Sequence, residues 1–547
     1  MEAGAVLVET IVNAGVDTAF TVPGESFLPV LEALRINTNR IRLVSVRQEG
    51  GGSLAAHGFG QVGGKPAAVF VSRGPGATNA SIGLHAAHQD SVPMVMFVGH
   101  VRSHMIGRES FQEIDHQTAF KSMSKAVFQP STPEEMILMA RQAVELSTSG
   151  RPGPVVVVMP RDFGDAQIDM EVKTEEERST PMEPDKNLLD ELAHELNKAN
   201  YPLIIAGELA RQLNPRNALA CFAKTLGAPI LASYRCQDVI DNLDNAYAGH
   251  LEINPVKYQN LLVDEADYIV VVGSRLDGIT SREETLISRE KHWAHIHVDS
   301  NILGRFNANL KLACSVDLAL TNLIPNITAP PQTRLAWRDQ AHQFYLNFSK
   351  PGSHPVRGKV DLSKIADTAG ELLPQNAVVL TDGGSYARWI HRFFRFRAPL
   401  TQGGTASGAM GAGVPGAIGA ALATNDGRPV VAFAGDGGFM MTGQELSTAV
   451  REKIPIKVVV CDNDVHGSII KGQWDKYGID HAFGTVMQSP DFVKIAKGYG
   501  AAAWAVDSTE LWASTFEKAL AHDGPALIHI KIDSSDIAPY GNEKDAV

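Results

Sequence analysis

Runs such as PAAVFVSRG, VPMVMFVG, GPVVVVMPRD, DYIVVVGSR and IPIKVVVCDND constrain this chain more than any other feature. Each is short, apolar and largely β-branched, without the polar alternation of a half-exposed strand. Such a run has to be buried on both faces. Strands of that kind belong to parallel sheets covered by helices, and here they alternate with amphipathic stretches.

They fall into three blocks. The first holds TAFTVPG, RLVSVRQE, PAAVFVSRG, VPMVMFVG and GPVVVVMPRD. The second holds YPLIIAGE, APILASY, DYIVVVGSR and AHIHVDS, and the third NAVVLTDGG, RPVVAFAGDGG, IPIKVVVCDND and PALIHIKID. The charged stretch DMEVKTEEERSTPMEPDKN (169–187) separates the first two. PNITAPPQTR and SKPGSHPVRGKVD bracket a helical segment before the third. The expectation is an α/β chain of three doubly wound parallel-sheet domains, at 1–168, 188–328 and 360–540. A length of 547 residues suits that count at about 150 residues per domain.

Composition removes several classes of function. A net charge of −12 with both signs spread along the chain argues against a nucleic-acid partner, which needs a basic face. Cys221, Cys236, Cys314 and Cys461 have no metal-ligand spacing and read as reduced thiols of a cytoplasmic protein. The start, MEAGAVLVETIVNAGV, lacks the basic segment of a signal peptide. No apolar run reaches the roughly 18 residues of a membrane span. The Gly/Ala-rich GAMGAGVPGAIGAALA reads instead as a buried loop leading into a closely packed helix.

AGDGGFMMTGQEL (434–446) leaves a strand through Gly-Asp-Gly-Gly. Thr442 and Glu445 stand in the capping-box pattern, so a helix is expected to start there, with Leu446, Val450 and Ile454 as its buried stripe. The next strand, IPIKVVVCDNDVHGS, ends in a second polar cluster. In a right-handed β-α-β unit Asp436 and Asn463 then share the carboxyl edge of one sheet, where such folds bind ligands. A carboxylate, an amide oxygen and a main-chain carbonyl are hard donors suited to Mg²⁺, which keeps coordination positions for substrate phosphates. The amides of Gly435 to Gly438 would take phosphate oxygens.

GDGGF followed by DNDVHG resembles the signature of thiamine diphosphate enzymes. The resemblance implies a metal held by Asp436, Asn463 and the main chain of Val465, with His466 and Gly467 beside the reacting centre. Asp462 departs from the family, which usually has Asn there. VRQEGGGSLAAHGFGQ resembles the family's segment carrying the acid that drives the cofactor's aminopyrimidine into its imino form; here that acid is Glu49. TASGAMGAGVPGAIGAA (405–421) resembles the stretch that bends the cofactor, with Met410 as wedge and Gly408 as carbonyl acceptor. Gly384 and Ser385 of LTDGGSYARW would add diphosphate contacts, and SRGPGATNA (72–80) would face the cofactor from the Glu49 domain. The outer domains thus become pyrimidine-binding and diphosphate-binding. The family builds its site between subunits, so a homodimer or homotetramer is implied.

The use made of the cofactor is narrower. Aldehyde-releasing relatives carry adjacent histidines near GRESFQEIDHQTAF, and this chain has none. GRESFQEID and MSKAVF resemble segments of acetolactate synthase large subunits, which places Phe111, Gln112 and Lys125 at the substrate entrance. Gln112 and His466 are the candidate catalytic groups beside Glu49. Among His85, His88, His116 and His466, the last is favoured for acid–base work. IIKGQWDKYG (469–478) is expected to form a lid, and it differs from the acetolactate synthase pattern. The expected reaction is decarboxylation of a 2-oxo acid followed by carbon–carbon bond formation. The alternative is a lyase that releases an aldehyde or cleaves a 2-hydroxyacyl thioester. A nicotinamide dehydrogenase would need Gly-x-Gly-x-x-Gly after an early strand, which is not found. VVGSRLDGITS (271–281) is similar to a segment that touches FAD in some relatives, while in others the domain is empty; an empty domain is the expectation.

Overall fold

The computed structural model describes residues 1–170, 180–212 and 217–539. Residues 171–179, within the charged stretch read as the first boundary, and Tyr540, at the end of the third expected domain, lie outside the described residues.

Three six-stranded sheets are present among the described residues, and every strand pairing within them is parallel. The N-terminal sheet contains β1 (Thr18–Thr21), β2 (Arg42–Ser45), β3 (Ala67–Ser72), β4 (Met94–His100), β5 (Ala126–Phe128) and β6 (Pro154–Pro160). Its order is β2-β1-β3-β4-β6-β5. The middle sheet contains β7 (Pro202–Ala206), β8 (Ile230–Ala232), β9 (Tyr247–His250), β10 (Tyr268–Val272), β11 (Trp293–His297) and β12 (Leu310–Ala313), in the order β12-β11-β10-β7-β8-β9. That is the doubly wound order of dinucleotide-binding sheets. The C-terminal sheet contains β13 (Val378–Thr381), β14 (Gln402–Gly403), β15 (Val430–Gly435), β16 (Lys457–Asp462), β17 (Ala502–Val506) and β18 (Ala526–Lys531), in the order β14-β13-β15-β16-β18-β17. The outer sheets therefore share one topology.

The apolar runs that define the blocks are buried along their whole length in β4, β6, β10, β15 and β16. Five strands absent from the sequence reading (β5, β9, β12, β14 and β17) all lie at sheet edges.

The outer domains are joined by one apolar core, in which Phe20, Ala55 and Phe59 pack with Leu380, Val414 and Ile418. The Glu49–Gly63 and Gly413–Thr424 helices meet backbone to backbone. A Cβ on Gly58 would lie 2.3 Å from the Gly416 carbonyl oxygen, and one on Gly419 would lie 1.8 Å from that of Ala55. Glycine is required at this crossing, which explains the Gly/Ala-rich stretch.

The expected helix start at Thr442 is corrected. A helix already spans Asp436–Thr442 and a second spans Glu445–Glu452. The Thr442 hydroxyl donates to Gly411 O (2.6 Å), and Glu445 accepts from the amides of Arg47 and Gln48, so the two form no capping box. Ile454 is buried but stands beyond the end of the helix. Among the described residues no helix is long and apolar enough to cross a membrane.

Candidate active site

β15 and β16 are parallel neighbours with Gly435 opposite Cys461, so Asp436 and Asn463 leave the sheet side by side at its carboxyl edge. β13 lies on the other side of β15 and runs into Asp382-Gly383-Gly384-Ser385. The strand order reverses between β13 and β15, and ligands of open α/β sheets bind at such a point.

Asp436 is buried. Its Oδ1 accepts from the Gly437 amide (2.9 Å) and its Oδ2 from the Asp464 amide (2.8 Å) and the Ser489 hydroxyl (3.3 Å). Asn463 Oδ1 faces the Val465 amide at 3.4 Å. Asp464 adopts a left-handed φ of +63°, which turns the chain sharply after Asn463. The turn is pinned from outside: Asp464 Oδ1 accepts the Ser489 amide (2.6 Å), and the His466 amide donates to Thr485 O (2.8 Å).

Asp462, the departure from the family pattern, is buried against His529 and Lys531. Its Oδ2 accepts from His529 Nε2 (2.8 Å) and Lys531 Nζ (2.9 Å), and its Oδ1 from the Asp464 amide (3.0 Å). Burial opposes this charge, but the hydrogen bonds from His529 and Lys531 outweigh it and hold Asp462 well below the usual carboxylate range. Burial pushes Asp436 upward, and the neighbouring Asp462 adds to the effect.

Three side chains converge above Gly437. A Cβ there would lie 3.1 Å from Met410 Cε, 3.2 Å from Met487 Sδ and 3.3 Å from His466 Cε1. Gly408 has φ +69° and Gly384 φ +147°, conformations that favour glycine. Ser385 meets the start of the Gly467–Tyr477 helix: a Cβ on Gly467 would be 2.5 Å from Ser385 Oγ. The expected lid segment lies within this helix and the Gly478 that ends it; Ile469 and Tyr477 are exposed on it, as are Ile479 and Phe483 just beyond.

The sequence reading missed Asp382. Burial pushes its carboxyl up to about 6, against hydrogen bonds from the amides of Gly383, Ala412, Gly413 and Gly411. It fastens the Met410 loop to the end of β13, and its place directly before Gly-Gly was the available signal.

In the N-terminal domain Glu49 opens its helix, accepts from Asn79 Nδ2 (2.9 Å) and lies 3.3 Å from a Cβ built on Gly76. The SRGPGATNA segment and Glu49 are thus in contact. Gln112 has φ +65° and its carbonyl accepts from the Gly74 amide (2.8 Å), which brings Phe111 and Gln112 to the same segment. Lys125 stands in other surroundings. Its ammonium donates to the carbonyls of Leu146 (2.5 Å) and Ser149 (2.6 Å), closing the end of the Pro133–Thr148 helix. The sequence has no adjacent histidines, but the fold makes a pair: His116 Nε2 lies 3.2 Å from His100 Nδ1, both buried. Burial and the proximity of His100 lower His116 to about 4.

The donors present fit the cofactor the sequence implied. Among the described residues no cluster of three or more His, Cys, Asp or Glu side chains could hold a metal. Asp436 and Asn463 instead bring a carboxylate and an amide to the switch point, oxygen donors that suit Mg²⁺. Between it and Met410 lies a cradle that a single Cβ at Gly437 would fill.

Comparison with known proteins agrees with this geometry. Residues 1–120, 189–323 and 382–530 match the N-terminal TPP binding, central and C-terminal TPP binding domains of thiamine pyrophosphate enzymes. The chain belongs to that family and is a thiamine diphosphate-dependent enzyme. Within the family it is similar to acetolactate synthases. It is 28% identical to the isozyme 1 large subunit of Escherichia coli, over 97% of this chain and 94% of the relative. It is 29% identical to the large subunit of Lactococcus lactis, over 97% and 92%. Against chloroplastic acetolactate synthase 1 of Nicotiana tabacum it is 30% identical, over 96% and 81%.

Proposed function

We propose that this enzyme decarboxylates a short 2-oxo acid and joins the remaining fragment to a second carbonyl compound, as the names of its acetolactate synthase relatives suggest. The observation that carries this reading is the pairing of Asp436 and Asn463 at one sheet edge with Met410 packed over Gly437, while Glu49 stands on the other outer domain. Bound thiamine diphosphate supplies a stabilised carbanion at its thiazolium carbon. The protein supplies the rest.

Asp436 Oδ, Asn463 Oδ1 and the Val465 carbonyl would hold Mg²⁺, and the amides of Gly435 to Gly438 with Gly384, Ser385 and Gly467 would take diphosphate oxygens. Met410 would pack as the apolar wedge and the Gly408 carbonyl would accept from the aminopyrimidine. Glu49 holds a proton at the pyrimidine nitrogen, its carboxylate oriented by Asn79. His466, in contact range of the Gly437 cradle, would move a proton to or from the substrate oxygen. Phe111 and Gln112 position the substrate. By the family resemblance, Glu49 of one subunit would complete the site around Asp436 of another, in a homodimer or homotetramer.

The test is product distribution from labelled pyruvate, the first candidate donor, with and without added 2-oxo acid or aldehyde acceptors. A carbon–carbon product that grows with acceptor concentration is expected. Free aldehyde at saturating acceptor overturns the reading in favour of the lyase. FAD is a separate question, since the middle sheet has dinucleotide-binding order; absorbance of the purified protein near 450 nm decides it.

A further inference from the structure

The N-terminal sheet repeats the topology of the C-terminal one, so it has its own switch point, between β1 and β3. Glu25 follows β1 there and Arg73 follows β3, while His100 ends the neighbouring β4. Arg73 has three properties that a structural arginine does not need. It takes a left-handed φ of +48°, a conformation that costs a long side chain energy. Its side chain is only 9% exposed, yet the buried Nε has no hydrogen-bond partner. Among the described residues its side chain makes one hydrogen bond, from a terminal nitrogen to Glu25 Oε1 at 3.2 Å, and Glu25 is 65% exposed. Such a half-solvated pair is worth little and opens easily.

The surroundings complete a site. The guanidinium lies 5.8 Å from the ring centroid of Phe111, which is 75% exposed. Glu113 is occupied by the amides of Gly107 (2.6 Å) and Ser110 (2.9 Å), so Glu25 is the acid that answers Arg73. One turn along the same helix, Gly76 abuts Glu49. Arg73 therefore opens the helix whose next turn meets Glu49, while its guanidinium faces Phe111, assigned above to positioning the substrate.

An arginine holding the carboxylate that departs as CO₂ would stabilise the reactant more than the transition state. A second anionic group keeps its charge throughout and can be held without that penalty. We propose that Arg73 is a specificity-determining residue that binds the distal carboxylate of a dicarboxylic 2-oxo acid donor, Glu25 yielding its place as that carboxylate enters. This inference rests on the 2-oxo acid reading above.

The test uses holoenzyme, with CO₂ release measured from 2-oxoglutarate and 2-oxoadipate against 2-oxobutyrate. Wild type should show a KM for at least one diacid about 10-fold below that for 2-oxobutyrate. Arg73→Gly suits the left-handed backbone, so it should unfold no earlier than wild type. It should raise the KM for that diacid about 20-fold while the 2-oxobutyrate KM moves less than about 3-fold. Arg73→Lys should recover part of the loss. Equal KM values in wild type, or a Gly variant that affects both substrates alike, overturns the proposal. If no 2-oxo acid is turned over, the functional reading fails on its own. Calorimetric titration of unreactive glutarate and butyrate then scores Arg73, whose replacement should weaken glutarate alone; equal binding of glutarate by both proteins overturns the inference.

Discussion

Glu445 Oε1 lies 3.0 Å from the amide nitrogen of Arg47, so a carboxylate of the C-terminal domain caps the backbone that leads into Glu49. The same carboxylate accepts from the Gln48 amide (3.1 Å) and the Thr448 hydroxyl (2.7 Å), and it is fully buried. Burial pushes its pKa upward, against those three donors. The contact fixes where the Glu49–Gly63 helix begins relative to the other outer domain.

Glu445→Ala removes the acceptor of two main-chain N–H groups at the interface between the outer domains. It should cost about 2 kcal/mol of stability and lower kcat as the start of the helix shifts. Glu445→Gln retains one acceptor oxygen and should lose less of both. Urea unfolding and steady-state kinetics on the two variants check this; an alanine variant of wild-type stability would remove the coupling.

Glu49→Gln keeps the side chain's shape and its contact with Asn79 but cannot share a proton with a ring nitrogen. Cofactor affinity should stay within about 3-fold, while proton–deuterium exchange at the thiazolium carbon slows by at least about 100-fold. Quenched NMR measures the exchange. Wild-type exchange in the variant would transfer the role to another acid.

Much of this architecture is legible in the sequence because the central strands are buried on both faces and must be continuously apolar. The strands that escaped are edge strands, each short and without a long β-branched run. β12 alternates buried and exposed residues, β17 is Ala-rich and half covered, and β14 is two residues long. Near the site, Asp436 and Asn463 are legible because both follow strong strands. The His100–His116 pair is not, since its members come from different elements and only the fold brings them together. Glu445 looked like a local cap because spacing alone cannot show a partner 398 positions away.

Asp436 and Asp462 should separate a ligand from its support. Asp436→Ala removes the one carboxylate of the proposed metal set and should weaken Mg²⁺-dependent cofactor binding by about 100-fold or more. Asp462→Asn discards the charge paired with His529 and Lys531 but leaves the donor set in place, so a loss of about 5-fold is expected. Calorimetric titrations with and without chelator give both numbers. Equal losses would make Asp462 a ligand, and chelator-independent binding would remove the metal.

His295 and His297 on β11 make stability depend on pH in a definite direction. Both are fully buried in the middle sheet, and burial lowers them to about 4 and about 3, the neighbouring His295 adding to the effect on His297. His295 Nε2 is bonded to Ser274 O at 2.8 Å, and His297 Nδ1 accepts from the Asp299 amide at 3.0 Å. His295 Nδ1 and His297 Nε2 have no partner to receive an added proton's hydrogen bond. The unfolded chain protonates each ring near pH 6.5, whereas the folded chain resists until about 4 or below. Protons therefore favour the unfolded state throughout that window. The stabilisation is whole above 6.5 and drains away as pH falls, by about 2 kcal/mol per ring at pH 5. His297→Asn keeps an acceptor for the Asp299 amide and cannot titrate. Its urea midpoint should fall less steeply than that of wild type between pH 6.5 and 5. Parallel slopes in the two proteins would show that His297 is not part of the acid sensitivity.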